Sequence, residues 1–287
     1  MESFGIGIVS KTFFYVPYWA ALEQGRFSAA GLDVATTMLG NASQVEPLVS
    51  GALDLVIGTP EGVLQNASAG GPLRFVAGNA GRLSHYIIAQ PRFKKVEDLR
   101  GATIGILNMK EGTFFHVKAV MAAHGLHYPQ DYKVKETGGA PPRHKALLEG
   151  TIDMGLQSVP LAFAEEALGF SNLGEVSKYV PDWQFNTVNV SIERAMARRD
   201  AARRVLTVLR EATEWVHTHR QEAAAVARRE MDIGPEDAAR GWEYYISRNI
   251  LTRDMEINLK GLRAVIEAQK ISPADPERYI DRSFLIG

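Results

Sequence analysis

The feature of this chain that most constrains its fold is a stretch that occurs twice. Residues 48–59, LVSGALDLVIGT, align with residues 147–158, LLEGTIDMGLQS, at a constant offset of 99. Each copy reads as the end of a helix, a Gly turn, an Asp, a short strand and a hydroxyl residue at the strand's carboxyl end. A repeat of this kind predicts two similar α/β units within one chain.

Shorter matches extend the repeat towards the N-terminus. Ile6–Ile8 correspond to Ile104–Ile106 at an offset of 98, and Thr12–Phe14 correspond to Thr113–Phe115 at an offset of 101. The alternative is that two stretches of alternating strand and helix resemble each other by chance. If the repeat is real, the same strand ends recur in both units.

Short apolar runs alternate with helical stretches in the first half of the chain, which predicts βαβ units and largely parallel sheets. The predicted strands are Gly5–Ser10, Leu32–Leu39, Leu53–Gly58, Arg74–Ala80 and Tyr86–Gln90. A helix is predicted over Pro17–Gln24. Ser43 and Glu46 have the spacing of a capping box for the next helix.

The last hundred residues or so have a helical pattern instead. One apolar helix face is formed by Val205, Val208, Leu209, Ala212 and Val216. Further helices are predicted from Thr218 to Arg229, from Gly234-Pro235 onward and over Asn258–Gln269. We therefore expect a C-terminal helical segment after the two α/β units.

Two facing α/β units would form a ligand cleft, because ligands of open α/β sheets bind beyond the carboxyl ends of the strands, near helix N-termini. Six loops would surround that cleft: Lys11–Tyr15, Gly40–Ser43, Thr59–Glu61, Lys110–Phe114, Ala140–His144 and Gln157–Val159.

The residue types in and near these loops favour a small anion with a planar body. Four basic residues are candidates to bind it, and an arginine could hold a carboxylate, sulfonate or phosphate in a fork. The aromatic residues could stack on a ring. The alternatives are a solvated surface position for each base and a core position for each aromatic residue. The predicted ligand-binding residues are Lys11, Thr12, Phe14, Tyr15, Asn41, Thr59, Glu61, Asn79, Arg82, Lys110, Thr113, Phe114, Ala140, Arg143, Gln157, Ser158 and Asn186.

Composition and motifs argue against several other classes of protein. The chain has no cysteine, and 32 Lys and Arg residues against 33 Asp and Glu residues give a net charge of −1. A near-neutral chain lacks the clustered positive charge of a nucleic-acid surface. The histidine pairs at 124/127 and 217/219 do not form a zinc motif, and no P-loop or complete GxGxxG occurs. We expect neither a metal nor another cofactor.

Two segments resemble a known family. Residues 17–34, PYWAALEQGRFSAAGLDV, and 96–106, VEDLRGATIGI, are similar to type II periplasmic solute-binding proteins. The closest group contains the alkanesulfonate-, taurine- and nitrate-binding proteins of ABC importers and the thiamine-pyrimidine precursor proteins.

This resemblance implies a two-lobed α/β fold with two mixed, mostly parallel sheets and a hinge. Lobe 1 would hold residues 1–90, lobe 2 residues 91–188, and residues 189–287 would return to lobe 1 as the C-terminal helices. The two crossings would fall near Ala89–Arg92 and Phe185–Val190. Ligand contacts with both lobes would stabilise a closed state.

The resemblance further implies a non-enzymatic, monomeric binding protein that delivers its ligand to an ABC permease. We expect it in the periplasm if a signal peptide was removed, and otherwise in the cytoplasm. One alternative is an enzyme on the same scaffold, such as an aromatic-acid decarboxylase, with His85, His116 or His144 as acid or base. Another is a cytoplasmic ligand sensor.

Overall fold

The chain forms two five-stranded mixed sheets surrounded by helices, which confirms the α/β fold with two mixed sheets that the resemblance implies. The computed structural model describes residues 1–110 and 112–285. The first sheet has the order β2-β1-β3-β10-β4 and contains β1 (Glu2–Ile8), β2 (Leu32–Met38), β3 (Leu55–Gly58), β4 (Leu73–Ala80) and β10 (Asn186–Ser191). The second has the order β7-β6-β8-β5-β9 and contains β5 (His85–Ala89), β6 (Thr103–Ile106), β7 (Lys133–Glu136), β8 (Met154–Ser158) and β9 (Ser171–Glu175).

The repeat seen in the sequence corresponds to the same strand arrangement in both sheets. In the first sheet β1 lies parallel between β2 and β3, and in the second β6 lies parallel between β7 and β8. The repeated aspartates have the same role. Asp54 accepts a hydrogen bond from the Gly5 N–H at 2.8 Å, and Asp153 accepts one from the Thr103 N–H at 2.7 Å. Each aspartate thus ties the start of one strand to its parallel neighbour.

Two arginines also contact Asp54. The pKa of its carboxyl depends on these two contacts together with the hydrogen bond from Gly5. Arg194 and Arg198 each lie 2.7 Å from its Oδ1 atom. Burial alone would raise the pKa of Asp54, but the Gly5 amide, Arg198 and Arg194 together hold it below its ordinary value. The ionised carboxylate therefore stabilises the folded state.

Replacing Asp54 with asparagine is expected to lower the free energy of unfolding by about 2–3 kcal/mol at pH 7. Because the folded-state pKa is depressed, this contribution is present above the unfolded-state pKa of about 3.9 and is lost as the pH falls through the folded value. Urea denaturation at pH 7 and at pH 3 measures both effects. Asp33→Asn, at an exposed position of β2, is the control. An equal loss at both pH values would contradict the assignment.

Helices cover the faces and ends of the sheets. They are α1 (Val16–Glu23), α2 (Arg26–Ala29), α3 (Val45–Val49), α4 (Glu61–Ser68), α5 (Gly112–Ala123), α6 (Ala140–Leu148), α7 (Leu161–Ala167), α8 (Ile192–Ala197), α9 (Arg199–Thr218), α10 (Arg220–Met231), α11 (Pro235–Ser247) and α12 (Leu259–Ala268). Short 3₁₀ turns span Phe13–Tyr15, Val96–Leu99, Val176–Lys178, Pro276–Tyr279 and Arg282–Phe284. Within the described residues, no helix combines the length and apolar character needed to span a membrane.

The C-terminal helices form as predicted, and their apolar face is buried. The five predicted residues of that face all lie on α9 and are buried in the core. Asn258 caps α12 by accepting a hydrogen bond from the Gly261 N–H. Thr218 does not cap α10. It ends α9 instead, and its hydroxyl donates to the Glu214 carbonyl at 3.1 Å.

The predicted capping box at Ser43 and Glu46 is also not formed. Helix α3 begins at Val45, after Gln44, and the Ser43 hydroxyl accepts from the Val45 N–H at 3.2 Å in a local turn. The buried Gln44 side chain donates to the Thr59 carbonyl at 2.6 Å and accepts from Asn189 at 2.7 Å. These interior hydrogen bonds hold the Gln44 side chain inside the protein. Gln44 therefore precedes α3, although the capping spacing predicts it in the first helical turn.

The crossings between the sheets differ from the positions expected from the resemblance. The chain enters the second sheet between β4 and β5, and it returns between β9 and β10. Strand β5 therefore lies in the second sheet, where His85 pairs with Ser158, although its residues were assigned to lobe 1. Strand β10 spans the expected boundary at residue 188, and it pairs with β3 and β4 of the first sheet. A strand pattern alone does not reveal which sheet supplies its partner.

Candidate functional site

A cavity lies between the two sheets, beyond the carboxyl ends of β1, β3, β6 and β8. Its walls come from both halves of the repeat. The lining residues are Val9, Ser10, Thr12, Phe14, Tyr15, Thr59, His85, Leu107, Gly112, Thr113, Gly139, Ala140, Arg143, Ser158, Phe185 and Asn186. The cavity lies where the strand-end argument predicts a cleft.

The structure brings nine of the predicted ligand-binding residues together around this cavity. They are Thr12, Phe14, Tyr15, Thr59, Thr113, Ala140, Arg143, Ser158 and Asn186. Two of the repeated hydroxyl pairs, Thr12 with Thr113 and Thr59 with Ser158, are complete in this set. Residue 111, within the predicted Lys110–Phe114 loop, and residues 286–287, at the end of the predicted helical segment, lie outside the described residues.

Four predicted residues lie away from the cavity on the outside of the molecule. Lys11 is exposed and forms an ion pair with Glu230 at 3.4 Å, and Arg82 is exposed. Asn41 and Lys110 line a separate outer groove. For the three basic residues this is the solvated surface position that the sequence left open as an alternative.

The other four predicted residues are buried behind the cavity wall. Asn79 donates to the Phe14 carbonyl at 3.1 Å and to Asn186 Oδ1 at 2.9 Å, so it orients two lining residues. Phe114 packs edge-on against Tyr128 at 5.3 Å between ring centroids. Gln157 and Glu61 are fully buried.

Seven lining residues were not in the predicted set: Val9, Ser10, His85, Leu107, Gly112, Gly139 and Phe185. Four of them directly precede a predicted ligand-binding residue: Ser10, Gly112, Gly139 and Phe185. The strand-end rule already places Gly112 in a loop, and it would include Ser10 and Gly139 if each loop began one residue earlier. The sequence makes His85 a candidate only as the acid or base of an enzyme. It reaches the cavity because β5 pairs with β8 and places His85 beside Ser158.

Arg143 is the basic residue that lines this cavity. Glycines on two neighbouring strands leave space for its buried side chain. Its side chain crosses β6 and β8 at two glycines. A Cβ atom at Gly105 would lie 3.2 Å from the Arg143 stem, and one at Gly155 would lie 3.0 Å from it. The guanidinium Nη1 donates to the Gly138 carbonyl at 3.2 Å. Only 2% of the residue is exposed.

The charge of Arg143 has no direct counter-ion in the described part of the chain. Within residues 1–110 and 112–285, no carboxylate oxygen lies within 4.0 Å of its guanidinium. Burial lowers the pKa of Arg143 to about 10, so the group still carries its charge at neutral pH. A buried charge without a direct ion pair is costly for a protein to retain unless something binds to it.

Further unused polar atoms face the same cavity. Thr12 Oγ1, His85 Nδ1, Arg143 Nε and Ser158 Oγ are buried and have no hydrogen-bond partner among the residues that the structure describes. Buried polar atoms are nearly always paired in folded proteins. Burial, followed by the nearby Arg143 charge, holds the pKa of His85 well below its ordinary value, so this imidazole is neutral. These atoms therefore form a polar end suited to the oxygens of an anion.

Aromatic rings form the other wall. Phe185 lies edge-on to Phe14 at 5.4 Å and to His85 at 4.8 Å between ring centroids. The Tyr15 ring faces the cavity, but its hydroxyl already donates to the Ile57 carbonyl at 2.8 Å and accepts from the Val9 N–H at 3.0 Å. The cavity thus combines a polar end with an apolar wall, the usual composition of a small-molecule site.

Comparison with known proteins shows the family. The family model described as "NMT1/THI5 like" matches residues 13–223. The chain belongs to this family. It is also 25% identical over 281 residues to a Brucella abortus (strain 2308) protein named "Putative binding protein", an alignment covering 91% of this chain and 86% of that protein.

Solved structures share the fold of this family member. One is the ligand-binding component of an ABC-type import system from Staphylococcus aureus, solved with zinc bound, at a TM-score of 0.79 and 14% identity, covering 99% of this chain and 98% of that one. Another is the alkanesulfonate-binding protein SsuA of Xanthomonas axonopodis pv. citri bound to MOPS, at 0.73 and 16%, covering 99% of both chains. These similarities establish the periplasmic-binding-protein fold. Among the described residues, no group of three or more His, Asp or Glu side chains is placed to hold a metal ion.

Proposed function

We propose that this protein captures a small organic anion in the cavity between its sheets and delivers it to the permease of an ABC importer. The observation that carries the proposal is Arg143, a buried guanidinium that faces the cavity without a counter-ion in the described residues. A carboxylate or sulfonate would supply that counter-ion through charge-assisted hydrogen bonds. The ABC-import and alkanesulfonate-binding structures with this fold support the same class of function.

We propose that the body of the ligand is aromatic or heterocyclic. The apolar wall offers the rings of Phe14, Phe185 and His85, which meet edge-on and against which a planar group would pack. Asn186, oriented by Asn79, supplies an amide that fixes the ligand's rotation about the acid group. An aliphatic sulfonate would use the polar end but gain less from this wall.

Capture by closure of two lobes is supported by contacts across the cavity mouth. Ser10 follows β1 of the first sheet, and Gly139 lies between β7 and α6 of the second. A Cβ atom at Gly139 would be 2.7 Å from the Ser10 Cβ. Similarly, a Cβ atom at Gly112 would be 2.6 Å from the Glu61 carboxylate of the first lobe. A ligand that touches both sides would favour this closed arrangement.

The remaining parts of the proposal follow from this role. The protein would act as a monomer in the periplasm, and the lobe surfaces beside the cavity would dock on the permease. It would not be an enzyme, and the ligand would leave unchanged. We infer no acid–base chemistry from His85, because the described lining residues include no carboxylate to orient it or to share its proton.

A thermal-shift screen at pH 7 with benzoates, benzenesulfonates, pyrimidines and aliphatic sulfonates tests this proposal. We expect aromatic monoanions to raise the melting temperature, since ligand binding to the folded state stabilises it by mass action. Ligand recovered from the complex should be chemically unchanged. Release of CO₂ or another product would favour the enzyme alternative, and no shift with any aromatic anion would contradict the proposed ligand class.

A further inference from the structure

Behind Arg143 lies a buried carboxylate that is paired with a histidine rather than with the arginine. Glu165, on α7, has no exposed side-chain surface, and its Oε1 atom lies 2.6 Å from His144 Nδ1 on α6. His144 follows Arg143 directly in the chain, and 22% of its side chain is exposed. Solvent protons therefore reach the pair through the imidazole.

Glu165 and an anion bound in the cavity would both interact with the positive charge of Arg143. The Arg143 charge acts on Glu165, and the Glu165 charge acts on Arg143, although the two groups form no direct ion pair. Burial raises the pKa of Glu165, even though His144 and Arg143 both act to lower it. An anion placed at Arg143 adds a second negative charge to a region of low dielectric, which favours protonation of its neighbours.

We propose that Glu165 and His144 are positioning residues that couple the binding of an anion at Arg143 to the uptake of one proton from solvent. With the extra proton the cluster of Arg143, Glu165 and His144 carries a net charge of +1, which a monoanion neutralises. Without the proton the cluster is neutral, and Glu165 opposes the ligand. This inference rests on the proposed function.

Other charged or titratable groups lie on the elements that pack against this pair. They are Lys145 and Glu149 on α6, Glu166 on α7, His85 and Tyr86 on β5, Glu175 on β9 and Arg240 on α11. Lys145 pairs with Glu149 at 3.7 Å, and Glu175 accepts from Tyr86 and Arg248 at 2.8 Å. His85 is held neutral by burial. Among these described groups, the His144–Glu165 pair alone combines contact with solvent on one side and the Arg143 charge on the other.

The test measures binding of benzenesulfonate by calorimetry between pH 6 and pH 8, a range in which this probe stays ionised. We expect the dissociation constant of the wild type to rise about tenfold from pH 6 to pH 8. Titrations in two buffers with different ionisation enthalpies should show net proton uptake. In Glu165→Gln, which keeps the size of the side chain, both the change in the constant with pH and the proton uptake should be clearly smaller than in the wild type.

Two further variants separate coupling from a structural role. Glu166→Gln makes the same charge change at the exposed neighbouring position and should retain the tenfold dependence. His144→Gln removes the imidazole through which the pair meets solvent, so the dependence of the dissociation constant on pH between pH 6 and 8 should shrink. This variant answers the question even if Glu165→Gln does not fold.

A purely structural Glu165 would, on substitution, weaken binding at every pH and leave the pH dependence intact, which would overturn the inference. Wild-type binding that does not vary with pH would also overturn it while leaving the proposed function in place. If benzenesulfonate and benzoate bind at no pH, the proposed ligand class fails, and the coupling fails with it.

Discussion

Replacing Arg143 with glutamine is expected to weaken the binding of benzoate or benzenesulfonate by about a hundredfold or more. The substitution removes the charged partner of the anion and leaves the acid group buried without its counter-ion. Truncating one partner of a buried charged pair typically costs about 2–5 kcal/mol, and about 1.4 kcal/mol corresponds to a tenfold change. Isothermal titration calorimetry at pH 7 measures the effect.

The same variant should not lose stability. Burial of the Arg143 charge outweighs the attraction of the Glu165 carboxylate, because the pKa of Arg143 is lowered overall. Glutamine would therefore restore part of the stability that the charge costs the free protein. We expect a melting temperature equal to or above that of the wild type without ligand. Arg82→Gln, at the exposed arginine that the sequence made an equal candidate, is the matched control and should bind normally. Normal binding by Arg143→Gln would remove the anion site.

Replacing Gly139 with alanine is expected to weaken binding by about thirtyfold. The backbone at Gly139 is extended, with φ −65° and ψ −169°, so alanine fits it without strain. Its Cβ atom, however, would lie 2.7 Å from the Ser10 Cβ across the cavity mouth. Overpacking of this kind costs about 2 kcal/mol, and the cost falls on the closed state alone. Calorimetry gives the affinity, and small-angle X-ray scattering follows closure.

Ser10, the other residue of this contact, provides the control for the prediction. Ser10→Gly removes both atoms that the new Cβ would meet, so the double variant Ser10→Gly/Gly139→Ala should recover most of the affinity. The single variant Ser10→Gly should bind almost normally. If Gly139→Ala weakens binding and the double variant does not recover it, the contact does not govern closure.

The repeat is the part of the fold that the sequence specifies best. Its two copies predict two units with the same strand order, and the aspartates at 54 and 153 confirm the match because each one binds the neighbouring strand's amide. Local spacing was less informative where interior polar groups compete with it. Gln44 is drawn inward by Thr59 and Asn189, and the capping box at Ser43 does not form.

The identity of the anion-facing base could not be read from the loops alone. The four basic candidates, Lys11, Arg82, Lys110 and Arg143, all lie in or near predicted cleft loops. What distinguishes Arg143 is the space above two glycines on adjacent strands, Gly105 and Gly155, which pair in register. This arrangement involves three segments that are far apart in the sequence, so it can be recognised only in the folded structure.

The account depends most on an anion that lies against Arg143 inside the cavity, and a crystal of the complex with 4-bromobenzenesulfonate tests this directly. Anomalous scattering locates the bromine atom independently of the protein phases. We predict the sulfonate at Arg143 and Ser158 and the bromine beside Phe14 and Phe185, between the two sheets. A bromine peak on the outer surface, in a crystal whose cavity holds no sulfonate, would contradict the central claim.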